Sequence, residues 1–112
     1  MMRQSHTAVL ARNETWSGEV ATEPFEVAWA TEAIVFLRVL EPVEVPDGVT
    51  LRVQISADGM RWCDEGSVIA LGGDPDVPTF VRVTHFGGWL RLAGTLADGV
   101  EAKVVAYLAL KG

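Results

Sequence analysis

The sequence predicts an all-β chain, a two-sheet antiparallel β-sandwich of jelly-roll type with about eight strands. Three observations predict it. Five Pro and eleven Gly cut the 112 residues into short pieces. No piece long enough for a helix repeats apolar residues at i, i+3, i+4 and i+7. The pieces instead alternate, or stay apolar, over strand-like lengths and recur every roughly 8–12 residues.

In chain order the strand-like pieces are residues 7–11, 14–20, 25–30, 33–40, 49–56, 61–64, 67–71, 79–85, 89–95 and 100–110, some of which are expected to merge. The clearest is 49–56, where Val49, Leu51, Val53 and Ile55 alternate with Thr50, Arg52, Gln54 and Ser56. Such alternation puts one face on a core and one in water. Asp58 with Gly59, and Asp98 with Gly99, are pairs suited to tight hairpins. Pro46, Asp47 and Gly48 form a further turn signal, and residues 72–78 read as an exposed loop. A chain of this length builds one core. The expected organisation is therefore one sandwich domain over 14–112, preceded by an N-terminal arm or first edge strand over 1–13.

Two pieces break the one-face rule. In 33–40, Val35, Leu37 and Val39 oppose Ile34, Phe36 and Leu40; in 104–110, Val105, Tyr107 and Ala109 oppose Val104, Ala106, Leu108 and Leu110. A two-layer sandwich buries one face of each sheet. The second apolar face needs cover, from a loop, the leading segment or another subunit. Val35, Phe36, Leu37, Val105, Tyr107 and Ala109 are accordingly the candidate protein-interface residues. A symmetric homo-oligomer, for example a trimer, is the expected assembly.

Composition narrows the partners. A hydrophobic fraction of 49% with 21% charged residues marks a folded chain rather than a disordered one. The net charge of −6 argues against nucleic acid and against an anionic membrane surface. A single cysteine, Cys63, rules out an intrachain disulfide and a cysteine-based zinc site. The first residues lack the apolar core of a secretory signal, and no run reaches the roughly 18 apolar residues of a membrane span. The expectation is synthesis in a reducing cytoplasm and use without export.

Signs of catalysis are thin. Cys63, Asp64 and His85 can be written as a nucleophile, an orienter and a base, but no spacing supports the trio, and Cys63 is expected to be a small buried thiol. With two distant histidines a cupin-like metal site is not supported. Asp74 and Asp76 share a loop, and Asp58, Asp64 and Glu65 lie near a hairpin, yet they supply too few regularly spaced ligands for calcium. No enzyme activity, cofactor or metal is expected.

Two binding patterns remain. Arg38, Arg52, Arg82 and Arg91 each occupy a polar slot in an apolar strand. On adjoining strands they would form a guanidinium ladder able to grip a carboxylate-rich partner; otherwise they pair with Glu on a solvated face. Trp16, Trp29, Trp62 and Trp89 are core anchors or sugar platforms, and Trp89, after two glycines, is the best candidate platform. This is the basis of an alternative reading, a carbohydrate-binding β-sandwich module.

Residues 51–62, LRVQISADGMRW, carry a strand followed by Ser-x-Asp-Gly-x-x-Trp. The pattern resembles the hairpin of discoidin-like domains and a shortened Asp-box turn. Similar hairpins occur in small sandwich and jelly-roll proteins of tailed-phage virions, including capsid decoration proteins. In it Ser56 and Asp58 cap the turn, Gly59 takes a positive φ, and Trp62 is expected to fold over the hairpin base. The small size, acidity and lack of disulfides fit the virion proteins better. That resemblance implies a non-enzymatic structural or assembly protein of a phage-like virion, a capsid decoration or head/tail accessory protein.

Overall fold

The computed structural model describes residues 5–46 and 49–112. The turn expected at Pro46, Asp47 and Gly48 extends outside the described residues, as do residues 1–4 of the expected arm. The chain forms β1 (Ser5–Trp16), β2 (Glu19–Ala21), β3 (Phe25–Glu26), β4 (Glu32–Val39), β5 (Thr50–Ser56), β6 (Cys63–Ala70), β7 (Thr79–Thr84), β8 (Trp89–Thr95) and β9 (Ala102–Lys111). One sheet runs β1-β9-β4-β7; the other runs β2-β8-β5-β6, with β3 also paired to β8. The pairing is nested: β1 with β9, β2 and β3 with β8, β4 with β7, β5 with β6, all antiparallel. This is one long antiparallel ribbon rolled over itself, the jelly-roll arrangement the strand spacing predicts.

The inner faces meet in a single apolar layer. Val35, Leu37, Val39, Val104, Leu108 and Leu110 come from the four-stranded sheet, and Leu51, Val53, Ile69, Leu90 and Leu92 from the other. Each of these side chains is almost wholly withdrawn from water. Burial of this kind stabilises by about 1.5–3 kcal/mol per large side chain before entropy is counted.

Several expected boundaries move, each for a local reason. Residues 7–11 belong to one long strand that runs past the expected break, because two register shifts and a positive φ at Asn13 absorb the irregularity while pairing with β9 continues. Of the two expectations for the leading residues, 5–13 take the edge-strand form within β1, with Ala8, Leu10 and Ala11 in the core. The pieces 61–64 and 67–71 merge into β6, whose Gly66 has φ 115° near a register shift against β5. The piece 25–30 shrinks to two paired residues. Asp98 and Gly99 do form a tight turn, closed by Val100 N–H donating to the Ala97 carbonyl, with Gly99 at φ 82°. That turn carries the chain from one sheet to the other, so it is not a hairpin.

Candidate functional site: the outer faces of the two sheets

In a jelly roll the only broad surfaces built from regular backbone are the two outer sheet faces. Strand alternation decides what each presents.

The register places Phe80 of β7, Phe36 of β4, Tyr107 of β9 and Val9 of β1 in one row across all four strands. The three aromatic side chains are 51%, 37% and 38% exposed. Phe36 and Phe80 contact with ring centroids 6.1 Å apart, and the Arg82 guanidinium lies 5.1 Å from the Phe80 centroid. Ile34 and Ala109 form the next row with Arg82, and Arg38 with Val105 the row on the other side. The outer face is thus an aromatic bar with aliphatic flanks. Arg38, Arg82, Lys103 and Lys111 sit on the same face, four of the chain's nine cations. From Ser5 onward the leading segment pairs with the edge of β9 and does not cross this face.

The structure corrects half of the expected interface set. Val35 and Leu37 point inward and are 0% and 1% exposed, so they hold the two sheets together. Val105 faces outward but is buried at its position between neighbouring strands. Phe36, Tyr107 and Ala109 remain as surface residues, and Phe80, Ile34 and Val9 join them. Phe80 was legible as the apolar partner of Phe36 only once the pairing of β4 with β7 was known.

The four arginines do not form one ladder. Arg38 and Arg82 lie on the four-stranded sheet, Arg52 and Arg91 on the other. On that second face Arg52 donates to Asp64 Oδ2 at 3.4 Å, Gln54 Nε2 donates to Asp64 Oδ1 at 2.9 Å, and Arg91 Nε donates to Gln54 Oε1 at 2.8 Å. The Arg91 guanidinium lies 4.3 Å from the Trp62 ring centroid, a cation–π contact.

The β5–β6 connection runs over Ala57–Trp62, six residues rather than the two of a tight hairpin, but its capping is the one its residues predict. Ser56 Oγ accepts from the N–H groups of Asp58 and Gly59, and Asp58 Oδ1 accepts from those of Met60 and Arg61. Gly59 has φ 79°. The Arg61 and Met60 N–H groups, then the Ser56 hydroxyl, hold the Asp58 carboxyl down to about 2. The tryptophan roles differ from expectation. Trp62 underlies Arg91, and it is Trp89 whose indole packs under the turn, 3.2 Å from where a β-carbon on Gly59 would stand. Half-buried and covered by the hairpin, Trp89 is not a free sugar platform.

No hydrogen bond joins the supposed trio among the described residues. Cys63 is exposed rather than buried, Asp64 is occupied by Arg52 and Gln54, and His85 is an exposed residue at φ 57° after β7. On the 72–78 loop the Asp74 carboxylate accepts the Asp76 N–H at 2.9 Å, closing a turn.

No protein-family model matches the sequence, and no curated protein matches it significantly. Solved structures share the fold, among them the following two. The SPBc2 prophage-derived protein YomS superposes with a TM-score of 0.63 at 8% identity, over 100% of this chain and 96% of that one. The PBSX exported protein XepA superposes with a TM-score of 0.57 at 12% identity, over 97% of this chain and 36% of XepA. The chain therefore spans about a third of XepA and nearly all of YomS. One of these two neighbours, YomS, is prophage-derived.

Proposed function

We propose that the chain is a non-enzymatic assembly protein of a phage-like particle, a capsid decoration or head/tail accessory protein, that packs the outer face of its four-stranded sheet against a second copy of itself. The observation that carries this reading is the aromatic row Phe80, Phe36 and Tyr107, left uncovered by every described loop and by the leading strand. Contiguous apolar surface of this kind is characteristic of interaction sites. The full-length likeness to a prophage-derived protein supports the phage setting, and with it a place in the virion after synthesis in the host cytoplasm.

Charge indicates how the copies meet. The face carries Arg38, Arg82, Lys103 and Lys111, with Glu32 in the row of Lys111 and Glu41 3.9 Å from Lys103, and so stays net cationic, while the chain as a whole is at −6. Placing two such faces together would juxtapose cations, which is costly. Apart from these four cations and Glu32, the chain has five Lys and Arg against fourteen Asp and Glu, so placing the face on another part of the next copy would offer it net negative charge. That contact is heterologous, and repeated by a closing rotation it makes a ring, of which a trimer is the smallest. Sedimentation in low and high salt tests the arrangement. A ring held by Arg and Lys against carboxylates shifts toward monomer as salt rises; a face-to-face dimer tightens or is unchanged, and that result overturns the head-to-tail arrangement.

A further inference from the structure

The outer face of the five-stranded sheet holds a second feature, independent of the aromatic row. Ala21 of β2 and Ala93 of β8 lie opposite one another, with Arg52 of β5 next in the same row. These two short side chains floor a trough of about 270 Å³. Longer polar side chains form its walls: Arg91 and Gln54 on one side, Glu19 and Thr95 on the other, and Arg52 at the end.

Arg91 is held unusually firmly for a surface arginine. Its Nε–H is taken by Gln54 at 2.8 Å, and its plane is packed on Trp62 at 4.3 Å. Gln54 is itself buried, and its amide is oriented by the Asp64 carboxylate. This leaves the outer Nη1/Nη2 edge of the guanidinium as a rigid fork. Among the described residues no carboxylate lies within ion-pair distance of Arg91, although the side chain is half-buried. A partly desolvated cation ordinarily has an anionic partner. Arg52, by contrast, already has one in Asp64.

We infer that this trough binds a sugar bearing a carboxylate, a uronic-acid unit, with the carboxylate on the Nη edge of Arg91. A planar carboxylate matches that fork in a bidentate contact. The remaining groups suit hydroxyls: Thr95 gives and accepts, Gln54 and Arg52 line the floor's edge, and Glu19 accepts. Glu19 also discriminates. It accepts hydrogen bonds from sugar hydroxyls, whereas it repels the further carboxylates of an acidic polypeptide. The trough volume accommodates about one pyranose ring, small for a peptide segment.

The test is an NMR titration of the labelled full chain with sodium glucuronate, glucose, and a glutamate-rich peptide, all at equal ionic strength. Glucuronate should shift the Arg91 Nε–H and Trp62 indole signals saturably at millimolar concentration, with glucose at least about tenfold weaker. Arg91→Gln should weaken glucuronate about tenfold or more. Ala21→Phe, at an exposed strand position, should block the trough while leaving the Arg91–Gln54–Asp64 signals in place. No saturable shift by glucuronate at tens of millimolar, equal binding of glucose, equal or tighter binding of the peptide, or unchanged binding by Ala21→Phe each overturns the assignment.

Discussion

Phe36 and Phe80 meet across β4 and β7 with centroids 6.1 Å apart, on the outside of the sandwich, while Leu37, one residue along, is 1% exposed in its interior. Adjacent positions on one strand therefore serve different ends. Leu37→Ala should destabilise the fold by about 2–5 kcal/mol. Phe80→Ser should cost about 1 kcal/mol or less, since half of the ring is in water. Urea unfolding of both variants at a concentration that keeps the protein monomeric measures the contrast.

Thr22 is one of the few buried polar residues. Its N–H donates to the Leu92 carbonyl at 2.9 Å and its Oγ1 accepts the Leu92 N–H at 3.0 Å, extending β-type pairing where the chain leaves β2. Thr22→Val keeps the shape and leaves the Leu92 N–H without a partner. The expected loss is about 1–3 kcal/mol, read by chemical denaturation, with faster amide exchange at Leu92.

Gly94 of β8 lies opposite Leu51 of β5. A β-carbon there would lie 2.6 Å from Leu51 Cδ1 and 3.1 Å from the Thr50 carbonyl oxygen. Leu51 is fully buried, and its Cα as well as the Thr50 carbonyl oxygen are close backbone atoms that cannot rotate away. Gly94→Ala should therefore destabilise by about 1–3 kcal/mol, an overpacking cost visible as a lowered thermal midpoint.

The Asp58 carboxyl gives a pH prediction. Its pKa falls from 3.8 to about 2 because the folded hairpin supplies N–H donors to the ionised form. A group depressed in the folded state stabilises above its unfolded pKa and ceases to do so as pH drops through the folded one. The hairpin contribution should thus be intact above about pH 4 and fade toward pH 2. A carbon-detected titration should place Asp58 near 2, and Ser56→Ala should move it upward; a value near 3.8 in the wild type contradicts the capping geometry.

What could be read from the residues follows from how much alternation each strand keeps. Thr50–Ser56 alternates in sequence, so Leu51 and Val53 were evident as inward, whereas Gln54 and Ser56, expected in water, are buried on the outer side by hydrogen-bonded neighbours that sequence does not place. In Glu32–Val39 and Ala102–Lys111 both faces are apolar, so the pattern marks strands without saying which side is inside. That choice depends on the partner sheet, and it separates Val35 and Leu37 from Phe36. The bulges at Asn13 and Gly66 hid two continuous strands, because an extra residue breaks period two while leaving the pairing intact. The hairpin was legible down to its hydrogen bonds because its determinants are local. The exchange of roles between Trp62 and Trp89 was not, because it depends on the pairing of β5 with β8, more than thirty residues apart in sequence. The same long-range pairing brings Arg91 to Gln54.

The assembly claim is tested most directly by sedimentation equilibrium of the wild type beside the double variant Phe36→Ser/Phe80→Ser. The wild type should show a mass that is a multiple of the 12.1 kDa chain at micromolar concentration. The double variant should remain folded and fall to the mass of a single chain. A wild type that stays at 12.1 kDa throughout, or a double variant that assembles as the wild type does, contradicts it.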